Sequence, residues 1–164
     1  MLIGLMSDTH NDVYFIEKAV EIFKERGVKI LVHAGDITSF RMLDYLKDFD
    51  CYIALGNGDE IDREDINAKA ASLNIRPVEE SVEFECFGKT FLVFHGHDVP
   101  RYRAAIASGR YDYIIKGHTH YFENYTSNDC RIINPGAVYA HDESSIAILD
   151  IETDRVEKIV LNGI

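Results

Sequence analysis

Five apolar, strand-like runs along this chain each end at a side chain able to ligate a metal, and only a fold that gathers strand tips at one edge gives that repetition a purpose. LIGLM leads to Asp8 and His10, KILVHAGD ends on Asp36, and CYIALGN ends on Asn57. FLVFHGH carries His95 and His97, and YIIKGHTH carries His118 and His120. Between the first three runs the spacing turns helical. Ile16, Ala19, Val20 and Phe23 recur at i, i+3, i+4 and i+7, which predicts a helix over about residues 12–26, capped by Asn11 and stopped at Gly27. Leu43, Leu46 and Phe49 predict a second, with Thr38 or Ser39 as its cap. A β-α-β-α-β start implies a parallel sheet covered by helices, and such sheets hold ligands along the edge where their strands end.

Beyond residue 60 the pattern changes. A weak helical stretch over about 62–73 precedes Pro77, and VEFECF and TFLVFH flank Phe87-Gly88-Lys89 as a hairpin. Pro100 to Ser108 reads as a short helix with proline in its first turn, Tyr111 to Ile115 as a strand, and SSIAILDI with RVEKIVL as a final hairpin. The expected architecture is two packed sheets flanked by helices, the second sheet largely antiparallel.

The 164 residues are expected to form one domain over 1–164, long enough to bury roughly 70% of the unfolded surface. Apolar runs of five or six residues fall short of the roughly 20 a membrane helix needs, and the N-terminus lacks a basic leader, so no membrane association is expected and a cytoplasmic location is the default. Three cysteines without a CxxC give no thiolate or disulfide pattern. With 17 basic against 28 acidic residues and a net charge of −11, no extended nucleic-acid surface is expected. Bound cations would change that balance locally.

Each ligating group has an ordinary reading when taken alone. Asp8 could cap a helix, Gly35-Asp36 could be a turn, and Asn57 between glycines could be a left-handed turn residue. His33, inside a strand, reads as a satisfied core histidine, and His141 in the polar AHDES segment as a surface one. The two His-x-His pairs are harder to dismiss in a chain with seven histidines. Imidazole, carboxylate and amide oxygen together make a mixed N/O set suited to Mn, Fe, Co, Ni or Zn, and the five segments jointly read as a metalloenzyme.

Asp-x-His, Gly-Asp, Gly-Asn-x-Asp, His-Gly-His and Gly-His-Thr-His, in this order, resemble the calcineurin-like metallophosphoesterases, especially the small single-domain phosphodiesterases of bacteria and archaea; Asn134-Pro135-Gly136 also matches that group. The resemblance implies an α/β fold, a four-layer α/β/β/α sandwich of two mixed β-sheets flanked by helices. It also implies two divalent metal ions per chain, manganese first, with Ni, Fe, Co or Zn as alternatives. Asp8, His10, Asp36 and His120 would hold one ion, Asp36, Asn57, His95 and His118 the other, with Asp36 bridging. Such a pair activates a shared water for in-line attack on a small phosphodiester substrate.

One departure matters. Many members carry histidine directly after the metal-binding asparagine, where it contacts phosphate and assists the leaving group; here Gly58 stands in its place. His97 and Asp59 are the nearest catalytic replacements, and the loss predicts a preference for esters with good leaving groups. A phosphomonoesterase with the same centre is the alternative substrate class. A protein-binding module of the same fold, resembling a catalytically idle retromer subunit, is the alternative kind of function. The oligomeric state, a homo-oligomer included, is left open.

Overall fold

The computed structural model describes residues 1–139 and 142–162. The His141 reading lies outside them. The first half builds β1 (Leu2–Met6), α1 (Val13–Glu25), β2 (Ile30–Ala34), α2 (Leu43–Leu46), β3 (Asp50–Ala54) and α3 (Arg63–Ser72). Then follow β4 (Ser81–Cys86), β5 (Lys89–Phe94), α4 (Val99–Ala107), β6 (Tyr113–Ile115), β7 (Phe122–Ser127), β8 (Cys130–Pro135), β9 (Ser145–Asp150) and β10 (Arg155–Val160). The strands form two five-stranded mixed sheets, ordered β10-β9-β1-β2-β3 and β4-β5-β6-β8-β7.

Side-chain alternation along the strands sets the layers. On β1, Ile3 and Leu5 point into the seam between the sheets, where they join Val32, Phe91, Val93 and Ile133. Met6 faces the other way, toward Ile16, Val20 and Phe23 of α1. At Gly4 a Cβ would lie 3.0 Å from the Phe23 ring, so the missing side chain lets the helix sit down on the sheet. On the far side, Leu92, Phe94, Ile114 and Ile132 meet Tyr102 and Ile106 of α4. Helices, sheet, sheet and helix make the expected four layers.

Three details differ from the sequence reading. Asp12, not Asn11, caps α1, because its side chain accepts the Phe15 N–H while Asn11 takes a left-handed φ of 60°. The second helix is one α-turn after a single 3-10 turn at Phe40–Met42, which Ser39 caps through the Arg41 N–H. The second sheet is not largely antiparallel: β5 pairs parallel with β6, and β6 parallel with β8. Helix α4 supplies the crossover that a parallel β5–β6 pair requires, and β7, missed in the sequence, takes the sheet edge so that β8 can return beside β6. Among the described residues, no helix is long and apolar enough to cross a membrane.

His33 has no exposed surface; its Nδ1 accepts the Gly35 N–H at 3.2 Å and its Nε2 lies 3.2 Å from the Thr9 hydroxyl. Burial lowers its pKa from 6.5 to about 3. Between these values the unfolded chain binds a proton that the folded chain refuses. The stabilisation is therefore complete above pH 6.5 and lost as the pH falls, by about 1.4 kcal/mol per pH unit. Urea titrations of metal-free protein at pH 5 and pH 7 should show this slope, and His33→Asn should reduce it. Identical slopes in the two proteins would refute the assignment.

Candidate metal centre

Because β1, β2 and β3 are parallel neighbours, as are β5 and β6, the loops that follow all five leave from one edge. Backbone hydrogen bonds knit these loops together. Asp8 N–H donates to Gly35 O at 2.9 Å, His10 N–H to Asp36 O at 3.1 Å, and Gly117 N–H to His95 O at 3.0 Å. The two sheets join where His118 N–H donates to Asp8 Oδ2 at 3.1 Å. Asp8, His10, Asp36, His118 and His120 all have positive φ, between 44° and 70°. For residues other than glycine this costs of order 1–3 kcal/mol each, and such strain collects at functional sites.

The side chains converge. The ligating atoms of Asp8, His10 and His120 lie within 4.8 Å of one another, and so do those of Asp8, Asp36 and His95. Asp8 Oδ1 is 3.2 Å from His120 Nε2 and 3.8 Å from His95 Nε2. Asp36 Oδ2 is 3.3 Å from His95 Nε2 and 3.7 Å from His10 Nε2. Asp8 therefore sits as centrally as Asp36, the ligand that the family resemblance implies as the bridge.

Neighbouring groups aim these atoms inward. Asp8 Oδ2 accepts the Ser7 hydroxyl at 2.6 Å, which leaves Oδ1 facing the cluster. His95 Nδ1 contacts Ala34 O at 2.8 Å, so this nitrogen carries the proton and Nε2 presents its lone pair. Tyr139 OH lies 3.0 Å from His120 Nδ1, and its ring stands edge-on to His10. Asn134 Nδ2 donates to Gly117 O and to the Thr119 hydroxyl, both at 2.9 Å, holding the Gly-His-Thr-His loop. The positioning roles of Ser7, Tyr139 and Asn134 were missed in the sequence; only the Asn-Pro-Gly match pointed toward one of them.

Burial opposes ionisation of Asp36, yet the adjacent His95 ring and the Gly58 N–H outweigh it and bring the carboxyl down to about 2. Burial and the neighbouring His95 hold the His118 pKa below its ordinary value. His118 is exposed, with its ring 5.1 Å from that of His95, and Asn57 is exposed between Gly56 and Gly58. His97 is exposed at the mouth, 5.7 Å from the His95 ring centre.

Asp59, expected from the sequence as one stand-in for the missing histidine, lies beneath the loops. It is fully buried, with Oδ1 accepting the Thr38 N–H at 2.7 Å and Oδ2 the Gly56 N–H at 2.8 Å. Burial raises its pKa against those donors. Both oxygens are committed to tying the Asp36 and Asn57 loops together, so no proton is offered to the open side.

Three buried atoms in this cluster, Asp8 Oδ1, His10 Nε2 and His95 Nε2, have no hydrogen-bond partner. Leaving a buried polar atom unpaired costs about 1–3 kcal/mol, and native folds rarely tolerate several together. Their convergence, and their chemistry as one carboxylate oxygen and two imidazole nitrogens, fits a divalent cation.

A mixed α/β sandwich with this cluster at one edge defines the class. The chain belongs to the calcineurin-like phosphoesterase superfamily, whose domain model matches residues 1–154. It is 33% identical to the phosphodiesterase MJ0936 of Methanocaldococcus jannaschii, over 98% of this chain and 99% of that protein. The structure of an archaeal phosphodiesterase, also 33% identical, superposes with a TM-score of 0.89 over 98% of this chain and 100% of its own. The phosphoesterase Yfce of E. coli, 16% identical, shares the fold with a TM-score of 0.69 over 99% of this chain and 100% of its own.

Proposed function

We propose that this protein is a metal-dependent phosphodiesterase with a dinuclear centre. The observation that carries the reading is the convergence of three unpartnered buried ligand atoms from strand tips in both sheets, Asp8 Oδ1 and His10 Nε2 after β1 and His95 Nε2 after β5. Asp8, His10, Asp36 and His120 would hold one ion, and Asp36, Asn57, His95 and His118 the second, with Asp8 Oδ1 close enough to contribute to both groups. When bound, such ions supply Lewis-acid charge and activate water near neutral pH.

The chain's own residues do the rest. Asp8 and Asp36 give the centre two negative charges that offset the cations, and the Ala34 and Tyr139 contacts fix the His95 and His120 rings before substrate arrives. His97, exposed at the mouth, is the side chain assigned to assist the leaving group. Asp59 anchors the loops. Gly58 puts no side chain over the site; its N–H donates to Asp36 Oδ1 at 2.8 Å. A Cβ there would stand 3.1 Å from both Asp36 Oδ1 and the Thr38 methyl, a tight fit that small side-chain shifts absorb, and glycine leaves no imidazole over the site to meet a monoester's second charge. That favours diesters, with one charge at phosphorus, over monoesters. A role confined to binding proteins would leave the three inward-facing atoms without a use.

Hydrolysis of bis(4-nitrophenyl) phosphate with Mn or Ni, before and after chelator, tests the proposal. The expected result is turnover that chelator abolishes and added metal restores, with rates that fall as the leaving-group pKa rises across an aryl series. Absence of both metal uptake and turnover would overturn the function. A flat leaving-group series would overturn the role drawn from Gly58.

A further inference from the structure

Beside the metal cluster, a cleft of about 230 Å³ is lined by His95, Gly56, Leu55 and Phe94 together with two arginines, Arg63 and Arg101. Neither arginine follows a strand tip, and neither stands out in the sequence. Arg63 opens α3, and Arg101 lies in the first turn of α4. Glu80 lies between them: Arg63 Nη1 reaches its Oε1 at 3.2 Å, and Arg101 Nη1 lies 3.8 Å from its Oε2. Arg101 Nη2 also donates to the Ser81 hydroxyl. One carboxylate thus spaces two guanidinium groups in a cleft that a proposed metal ligand, His95, also lines.

Two further observations give this cleft an affinity for anions. Helices α3 and α4, of 10 and 9 residues, both begin at the cleft, so the positive ends of both dipoles meet there. The α4 end is capped by Asp98, which accepts the Arg101 N–H at 3.0 Å, whereas Asp62 makes no side-chain cap on α3. Glu60 and Asp98 also line the cleft, but Asp98 is committed to its helix and Glu60 lies at the exposed rim. The lining thus sets two guanidinium groups against the carboxylates of Glu60, Glu80 and Asp98, and Glu80 is the one an incoming phosphate would displace from the arginines.

We propose that Arg63 and Arg101 form a subsite for a second phosphate on the substrate, so that the preferred class is a phosphodiester carrying a further phosphate a few bonds from the scissile one. This rests on the phosphodiesterase reading above. Glu80 presets the two guanidinium groups and competes with the incoming phosphate for them, which sets a moderate affinity. Guanidinium and phosphate pair in a bidentate geometry, and the partial exposure of both arginines keeps each contact modest.

The test uses the 4-nitrophenyl ester of thymidine 5′-phosphate with and without a 3′-phosphate, two probes that share one scissile bond and one chromophore. With Mn, the full chain should favour the 3′-phosphorylated probe in kcat/KM, mainly through KM. Arg63→Ala and Arg101→Ala should each lower that preference by about fivefold. Glu80→Gln should raise it by a similar factor. Variants that slow both probes equally, or a wild type indifferent to the 3′-phosphate, would overturn the subsite while leaving the phosphodiesterase standing. If neither probe turns over, the parent reading fails, and calorimetry on the metal-loaded protein still decides the subsite. Thymidine 3′,5′-bisphosphate should then bind more tightly than thymidine 5′-phosphate, with the margin lost in the arginine variants; equal binding in all proteins would refute it.

Discussion

Asp36→Asn is expected to lower metal-supported diester hydrolysis by about 10³-fold or more while the protein stays folded. The substitution keeps the shape of the side chain. Its carbonyl oxygen can go on accepting the Gly58 N–H, which now meets Oδ1 at 2.8 Å. The difference lies at Oδ2, which points at His95 Nε2 and His10 Nε2 from 3.3 and 3.7 Å. An amide NH2 there would donate a proton toward nitrogens that have no other partner, so the metal-free variant loses a charge and gains a hydrogen bond. Metal content after gel filtration should fall below that of the wild type, and the urea midpoint of the metal-free protein should hold or rise. Wild-type metal content and turnover in Asp36→Asn would remove Asp36 from the centre and, with it, the assignment of a shared ligand.

Much of this site could be read in the chain because the strand tips announce themselves. An apolar run that ends in Asp, Asn or His at a turn is a local signal, and the parallel order of β1, β2 and β3 follows from the helical spacing between them. What could not be read depends on contacts made across the fold. Ser7 aims Asp8 through one hydroxyl, and Tyr139 meets His120 nineteen residues away. Neither residue type is unusual in its local sequence. The surroundings of Asp59 are hidden for the same reason: only the fold brings Thr38 N–H to one of its oxygens while Gly56 N–H takes the other. The second sheet was misjudged because FENYTS carries no clean apolar alternation, so β7 was invisible and β8 lost the edge partner that explains its parallel pairing. The left-handed backbone at five of the proposed ligands is only weakly signalled in sequence, since Asp and His adopt it more readily than most side chains but far less readily than glycine.

Gly56→Ala is expected to disrupt both the Asn57 loop and the metal centre. The Gly56 backbone, with φ −100° and ψ 178°, is open to any residue, so glycine is required here for space and not for conformation. A Cβ would stand 2.1 Å from Asp36 Oδ1 and 2.4 Å from the Asp36 backbone nitrogen. Turning the carboxylate aside would relieve the first clash but not the second, because the Asp36 backbone is pinned where its carbonyl accepts His10 N–H. The loop must therefore move, and it is fixed by the Gly56 N–H bond to buried Asp59. We expect a loss of about 3 kcal/mol in urea unfolding, together with at least about a hundredfold loss of metal-supported hydrolysis. Gly58→Ala is the matched comparison: its Cβ would meet Asp36 Oδ1 and Thr38 Cγ2 at 3.1 Å, contacts that small side-chain shifts can absorb, and its cost should stay within about 1 kcal/mol. If the two variants unfold at the same urea concentration, the Asn57 loop is free to yield, and the tight packing of this loop against Asp36 is not what holds the centre in shape.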